Sequence, residues 1–96
     1  MQAERQRSKF MPQVSTFYGI GVYMYYRDHA PPHFHAIYGE HEAVIGIAAG
    51  DTLEGKLPRR AARMVAVWWA AHEHELMENW ELAQAGEPLN DIPGLD

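Results

Sequence analysis

Between Gln13 and Leu57 the apolar positions recur at short, strand-like intervals, and from Pro58 onward they recur every three or four residues. Residues 13–27 are dense in β-branched and aromatic side chains: Val14, Phe17, Tyr18, Ile20, Val22, Tyr23, Tyr25 and Tyr26. Such residues favour a pleated surface, and the stretch reads as strand, bent or interrupted at Gly19 and Gly21. Alternation places Ile20, Val22, Met24 and Tyr26 on one face. Asp28 to Pro32 is predicted to be a loop, His33 to Tyr38 a second strand and Glu42 to Ala48 a third, with a hairpin turn at Gly39-Glu40-His41. Gly50-Asp51 predicts another turn, and Thr52 to Leu57 a short further strand.

The period then changes. Ala61, Met64, Val65, Trp68, His72, Leu76, Trp80 and Ala83 form a stripe at helical spacing, and Glu73, Glu78 and Glu81 fall mostly outside it. Proline at the start and Gly86 at the end bound one long helix from Pro58 to Ala85. Some 28 residues of helix would span roughly 42 Å, longer than a small sheet is wide, so part of it is expected to overhang. Trp68 and Trp80 lie on the stripe, whereas Trp69 lies about 100° away and is a candidate partner contact. The predicted class is α+β: a small antiparallel sheet of three to five strands with one long C-terminal helix packed on one face. The expected organisation is a flexible extension over residues 1–10, a single domain over 11–90 and a tail over 91–96.

Composition narrows the setting. Ninety-six residues, 47% of them hydrophobic, suffice for one modest core. The chain has no cysteine, which removes disulfides and thiolate metal sites. No run approaches the ~18 apolar residues of a membrane span, and Met1 to Lys9 lack the apolar core of a signal peptide, so the expected location is the cytoplasm. A net charge of −5 disfavours nucleic acid as a partner, although charge is unevenly spread. Lys56, Arg59, Arg60 and Arg63 cluster at the helix start, the positive end of the macrodipole and the unfavourable end for cations. Either they pair with the chain's own carboxylates, such as Asp51 or Glu54, or they bind an external acid or phosphate.

Candidate chemistry concentrates in Asp28-His29-Ala30-Pro31-Pro32-His33-Phe34-His35, which holds three of the six histidines. In a strand, His33 and His35 point to the same face about 6.6–7 Å apart, close enough for both imidazoles to reach one ion. His29 could fold back as a third nitrogen ligand and Asp28 could supply a carboxylate. Glu40 or His41 could complete the set. His29, His33 and His35 are therefore candidate ligands for a divalent transition metal, and His33 and His35 candidate catalytic bases. A local, aromatic strand end with hydrogen-bonded histidines is the alternative. The spacing from His33 and His35 to Glu40 resembles the first cupin metal motif, but the flanking glycines are displaced and the second motif is absent. Histidine-triad hydrolases require a third alternating histidine where this chain has Ile37. His72-Glu73-His74-Glu75 fails as a zinc-protease motif because position 76 is leucine.

Four blocks carry a resemblance to a family: Phe17-Tyr18-Gly19-Ile20, Tyr25 to Ala36, Leu53 to Ala61, and Glu78-Asn79-Trp80. From Met11-Pro12 to Pro88-Leu89 the chain resembles the small bacterial proteins catalogued as domain of unknown function 4160. The resemblance implies no established activity and supplies no catalytic assignment. It implies a signature made of the histidine and basic blocks, which falls here on Asp28, His29, His33, His35, Lys56, Arg59 and Arg60. Members of that family are often encoded beside another small protein, a layout similar to toxin–antitoxin pairs. The expected function is accordingly a protein-binding component of such a two-gene module, with a small protein encoded by a neighbouring gene as partner and homo-oligomerisation open. The alternative is a histidine- or metal-dependent enzyme acting on a phosphate-bearing substrate such as RNA, with Arg59 and Arg60 holding the phosphate. That alternative requires the two blocks to meet in space.

Overall fold

A computed structural model describes residues 11–96, so the expected N-terminal extension, residues 1–10, lies outside the described residues. Five strands form one antiparallel meander in chain order: β1 (Gln13–Phe17), β2 (Ile20–Tyr23), β3 (His33–Tyr38), β4 (His41–Gly46) and β5 (Thr52–Gly55). A long helix, α1 (Arg59–Ala85), follows. This is the α+β arrangement expected from the change of period.

The stretch read as one bent strand is a hairpin. Phe17 pairs with Ile20, leaving Tyr18-Gly19 as a two-residue turn in which both residues have positive φ, 50° and 80°. Such turns match the natural twist of the flanking strands and favour glycine at the second position. The third strand is likewise shorter than expected, because Gly46 turns back to accept from Gly50 N–H and to donate to Asp51 O.

Strand alternation divides the sheet cleanly. Phe34, Ala36, Ile20, Val22, Ala43 and Ile45 share one face and are buried against α1. Trp68 is the centre of that layer, fully buried, with ring centroids 5.3 Å from Phe17 and 5.8 Å from Phe34. His33, His35 and Ile37 point to the opposite face.

The helix is bounded by Pro58, one residue outside its first turn, and by Gly86. It departs from helical geometry once, at His72 (φ −130°, ψ 20°), so it is two segments joined at a kink rather than a straight overhanging rod. Trp69 is not a free contact surface. Its indole N–H donates to Ile47 O at 2.8 Å, and its ring lies over Gly50, where a Cβ would come within 2.7 Å.

Two connections hold the far end of α1. Asn79, fully buried, donates from Nδ2 to Asn90 O (2.8 Å) and accepts the Asn90 backbone N–H at Oδ1 (2.9 Å). The segment beyond the helix thus folds back, buries Ile92, donates from Ile92 N–H to Val14 O and accepts the Trp68 indole N–H at Pro93 O. On the other side, Arg27 N–H donates to Ala83 O, and Gln84 Nε2 donates to Asp28 O. Gly86 adopts φ 74°, and Arg27's guanidinium sits where its Cβ would be, next to the negative end of the helix dipole. The loop that carries Asp28 is therefore fixed to the helix end. Among the described residues no helix is long and apolar enough to cross a membrane.

A candidate metal centre on the second face of the sheet

The second face of β3 is covered where the strand begins. The loop between β2 and β3 crosses over it, so His33 and His35 are buried although they point away from the Trp68 layer. The Tyr25 ring meets His35 edge-on at 4.7 Å, and Trp80 from the second segment of α1 packs 5.3 Å from His33. One ligand atom each of Asp28, His33 and His35 lies within 4.8 Å of the other two.

The hydrogen bonds around the two rings decide which nitrogens face inward. His33 Nδ1 lies 2.7 Å from Pro31 O. A carbonyl oxygen only accepts, so this nitrogen carries the hydrogen. His35 Nδ1 lies 3.1 Å from a Glu42 carboxylate oxygen and donates in the same way. Both Nε2 atoms then point at one oxygen, Asp28 Oδ2, at 2.8 Å from His33 and 3.6 Å from His35. In neutral rings those nitrogens present lone pairs. A proton on His33 Nε2 would satisfy one pair but leave His35 Nε2, which is buried and has no hydrogen-bond partner among the described residues. A second proton would place two cationic rings 5.3 Å apart at centroid. A single divalent cation among the three atoms would satisfy all of them at once.

The two separations from Asp28 are close to what a shared ion requires. Two donors each about 2.1 Å from an ion, at angles between octahedral and tetrahedral, are separated by roughly 3.0–3.4 Å. The observed 2.8 and 3.6 Å bracket that range. The outer contacts have the form that metal-bound histidines take, each ring donating its other N–H to a carbonyl or carboxylate. Asp28 is prepared as an anion. Burial alone would push its carboxyl up, but the His29 backbone N–H, the hydrogen bond and charge of His33, and the nearby His35 ring outweigh burial and hold it below its ordinary value.

The nominated residues separate. His33 and His35 enter the cluster. His29 stands at its mouth, with its side chain 86% exposed and Nε2 3.8 Å from the other Asp28 oxygen, and the third apex is the Asp28 carboxylate. Glu40 and His41 are exposed and stand apart from it. Glu42 supplies the carboxylate instead. With a two-residue turn at Gly39-Glu40, Glu42 opposes Ile37 and so shares the His35 face, a register that the strand pattern contained. Trp80 and Tyr25, which wall the two rings, carried no sequence signal for this role.

The arginines of the helix start lie elsewhere. A cavity of about 300 Å³ opens onto the cluster, lined by His29, Tyr25, Pro31, Val44, Leu53 and Glu54 besides the three ligand residues. Arg60 lines a different groove, with Tyr18 and Tyr38 at the far end of β3. Arg59 is 21 positions before Trp80, roughly 30 Å along the helix path. Arg59, Arg60, Lys56 and Arg63 are exposed, and none has a carboxylate within 4.0 Å among the described residues, so pairing with Asp51 or Glu54 is not formed. Arg59 and Arg60 therefore lie apart from the histidine cluster, whereas the start of the basic block adjoins it: Leu53 and Glu54 line the cavity and the Lys56 backbone N–H donates to Glu42 O.

The family model described as domain of unknown function (DUF4160) matches residues 19–81, 63 of the 96 residues. The chain belongs to this family. The matched segment of the DUF4160 domain contains the cluster, Glu42, the basic helix start and Trp80. The contacts from Asn90, Ile92 and Pro93 that brace α1 lie beyond it. No curated protein and no solved structure shows a significant match.

Proposed function

We infer that this DUF4160 protein is a metal-dependent enzyme whose centre is a divalent transition metal held by Asp28, His33 and His35. The observation that carries the reading is the convergence of two buried Nε2 atoms on one carboxylate oxygen, with both Nδ1 atoms facing acceptors. Two imidazoles and one carboxylate suit zinc, iron(II) or manganese(II). Structural zinc sites close with four protein ligands, whereas three ligands beside a cavity leave room for water or substrate. When bound, such an ion supplies Lewis acidity and an acidified water. Asp28, His33 and His35 hold the ion, Pro31 O and Glu42 orient the two rings, and Tyr25 and Trp80 exclude bulk water from one side.

The test is the metal content of untagged protein, measured by mass spectrometry after dialysis. We expect close to one equivalent in the natural chain and in His29→Ala, and less than a tenth of that in His33→Ala and His35→Ala. Retention of metal by folded His33→Ala and His35→Ala variants would defeat the proposal.

A second reading, the partner-binding component of a two-gene module, is supported by a separate observation: four exposed cations at the helix start without a carboxylate partner among the described residues. An acidic surface of a neighbouring gene's product would complement them. Co-purification with that product, lost when Arg59 and Arg60 are both changed to Glu, tests it. Unchanged capture by the double variant would count against it.

A further inference from the structure

The cavity over the cluster has a one-sided charge. Besides the ligands, its walls are the apolar or aromatic surfaces of Tyr25, Pro31, Val44 and Leu53, the carboxylate of Glu54 on β5, and the exposed ring of His29 at its mouth. Glu42 stands directly behind His35. Among the described residues no lysine or arginine lines it, and Arg60 lines the separate groove at the other end of β3. With a dication bound, the carboxylates of Asp28, Glu42 and Glu54 still leave the site with a net negative charge. An anionic ligand group seated in the cavity would face Glu54 with no lysine or arginine among the described lining residues to compensate it.

Resting on the metal reading, we propose that the open positions of the metal serve a small uncharged or cationic organic ligand with an apolar body, and that the site selects against phosphate- and carboxylate-bearing ones. The volume, about 300 Å³, lies at the lower end of small-molecule pockets and suits a ligand of a single ring or a short chain. Leu53 and Val44 supply the apolar wall, Tyr25 an aromatic face, and Glu54 the selection by charge. This sets aside a phosphate-bearing substrate such as RNA, which the separation of Arg59 and Arg60 from the cavity also disfavours.

The probe pair is benzohydroxamic acid and its 4-carboxy derivative, which share one metal-chelating group and differ by one distal negative charge. Cobalt(II) is loaded into the full chain, and both probes are titrated at low salt against the cobalt visible spectrum. We expect the uncharged probe to bind at least fivefold more tightly, and the gap to shrink to under twofold in Glu54→Gln, whose folding is checked by its melting curve. Equal or tighter binding of the carboxylated probe would overturn the proposal, as would a gap that Glu54→Gln leaves unchanged. Failure of cobalt to bind at all would remove the metal reading and this inference together, whereas cobalt binding with an anion preference would remove this inference alone.

Discussion

Replacing Asp28 by Asn isolates the electrostatic part of the cluster without changing its shape. The amide oxygen can still accept the His29 backbone N–H, which Asp28 Oδ1 accepts at 2.8 Å. What disappears is the negative charge facing His33 Nε2 at 2.8 Å. The side chains are 13% and 3% exposed, so solvent screens this pair weakly. A hydrogen bond to a charged group contributes about 1.5–3 kcal/mol and a neutral one about 0.5–1.5 kcal/mol, so the substitution should remove about 1–2 kcal/mol. For a domain of this size that lowers Tm by roughly 4–16 °C. Metal-free protein, prepared with a chelator, is melted by circular dichroism between pH 6 and pH 2.5. Asp28 has a folded-state pKa below its ordinary value of 3.8, so its contribution is complete above that value and is lost as pH falls through the depressed one. The difference between the natural chain and Asp28→Asn should therefore be largest near pH 5–6 and shrink toward zero at the acid end. A difference that stays constant across this range, or an Asp28→Asn variant as stable as the natural chain at pH 5.5, would refute the reasoning.

Other outcomes follow from the same geometry. Asn79→Ala removes both hydrogen bonds to Asn90 and should lose about 1–3 kcal/mol in urea unfolding, and a loss under about 0.5 kcal/mol would mean that the returning segment is held by Ile92 and Pro93 alone. Gly86→Ala must adopt φ 74° with a Cβ against the Arg27 guanidinium; about 1–2 kcal/mol of lost stability is expected, with faster amide exchange at Arg27. Glu42→Leu removes the acceptor behind His35 and should weaken zinc binding by about 10–100-fold in a competition titration while leaving the melting temperature of the metal-free chain within a few degrees. Unchanged zinc affinity in that variant would remove Glu42 from the account.

Much of this arrangement is legible in the sequence where a local rule decides it. The switch from strand-like to helical spacing at Pro58 locates α1 to within one residue, and period-two alternation already sets His33 and His35 apart from Phe34 and Ala36. Legibility fails where long-range geometry decides. Tyr18-Gly19 reads as an interruption within a strand, and only the pairing of Phe17 with Ile20 makes it a turn. The kink at His72 has no proline or glycine to announce it. Asn79 stands in the apolar stripe as a polar residue without an evident partner, because that partner, Asn90, lies 11 positions away. At the site, the choice between His29 and Asp28 as third apex depends on how Arg27 and Gln84 fix the loop to the helix end, which no local spacing encodes.

The central claim concerns which ring nitrogens meet the metal, and nitrogen-15 NMR of the histidine side chains reads this directly. Zinc is titrated into metal-free, uniformly labelled protein while the long-range correlations of the His33 and His35 rings are followed. The account predicts that at one equivalent both rings settle as the Nδ1–H form, with Nε2 shifted to metal-bound values and His29 little changed. A protonated Nε2 on either ring in the presence of zinc, or ring signals that ignore zinc altogether, would contradict it.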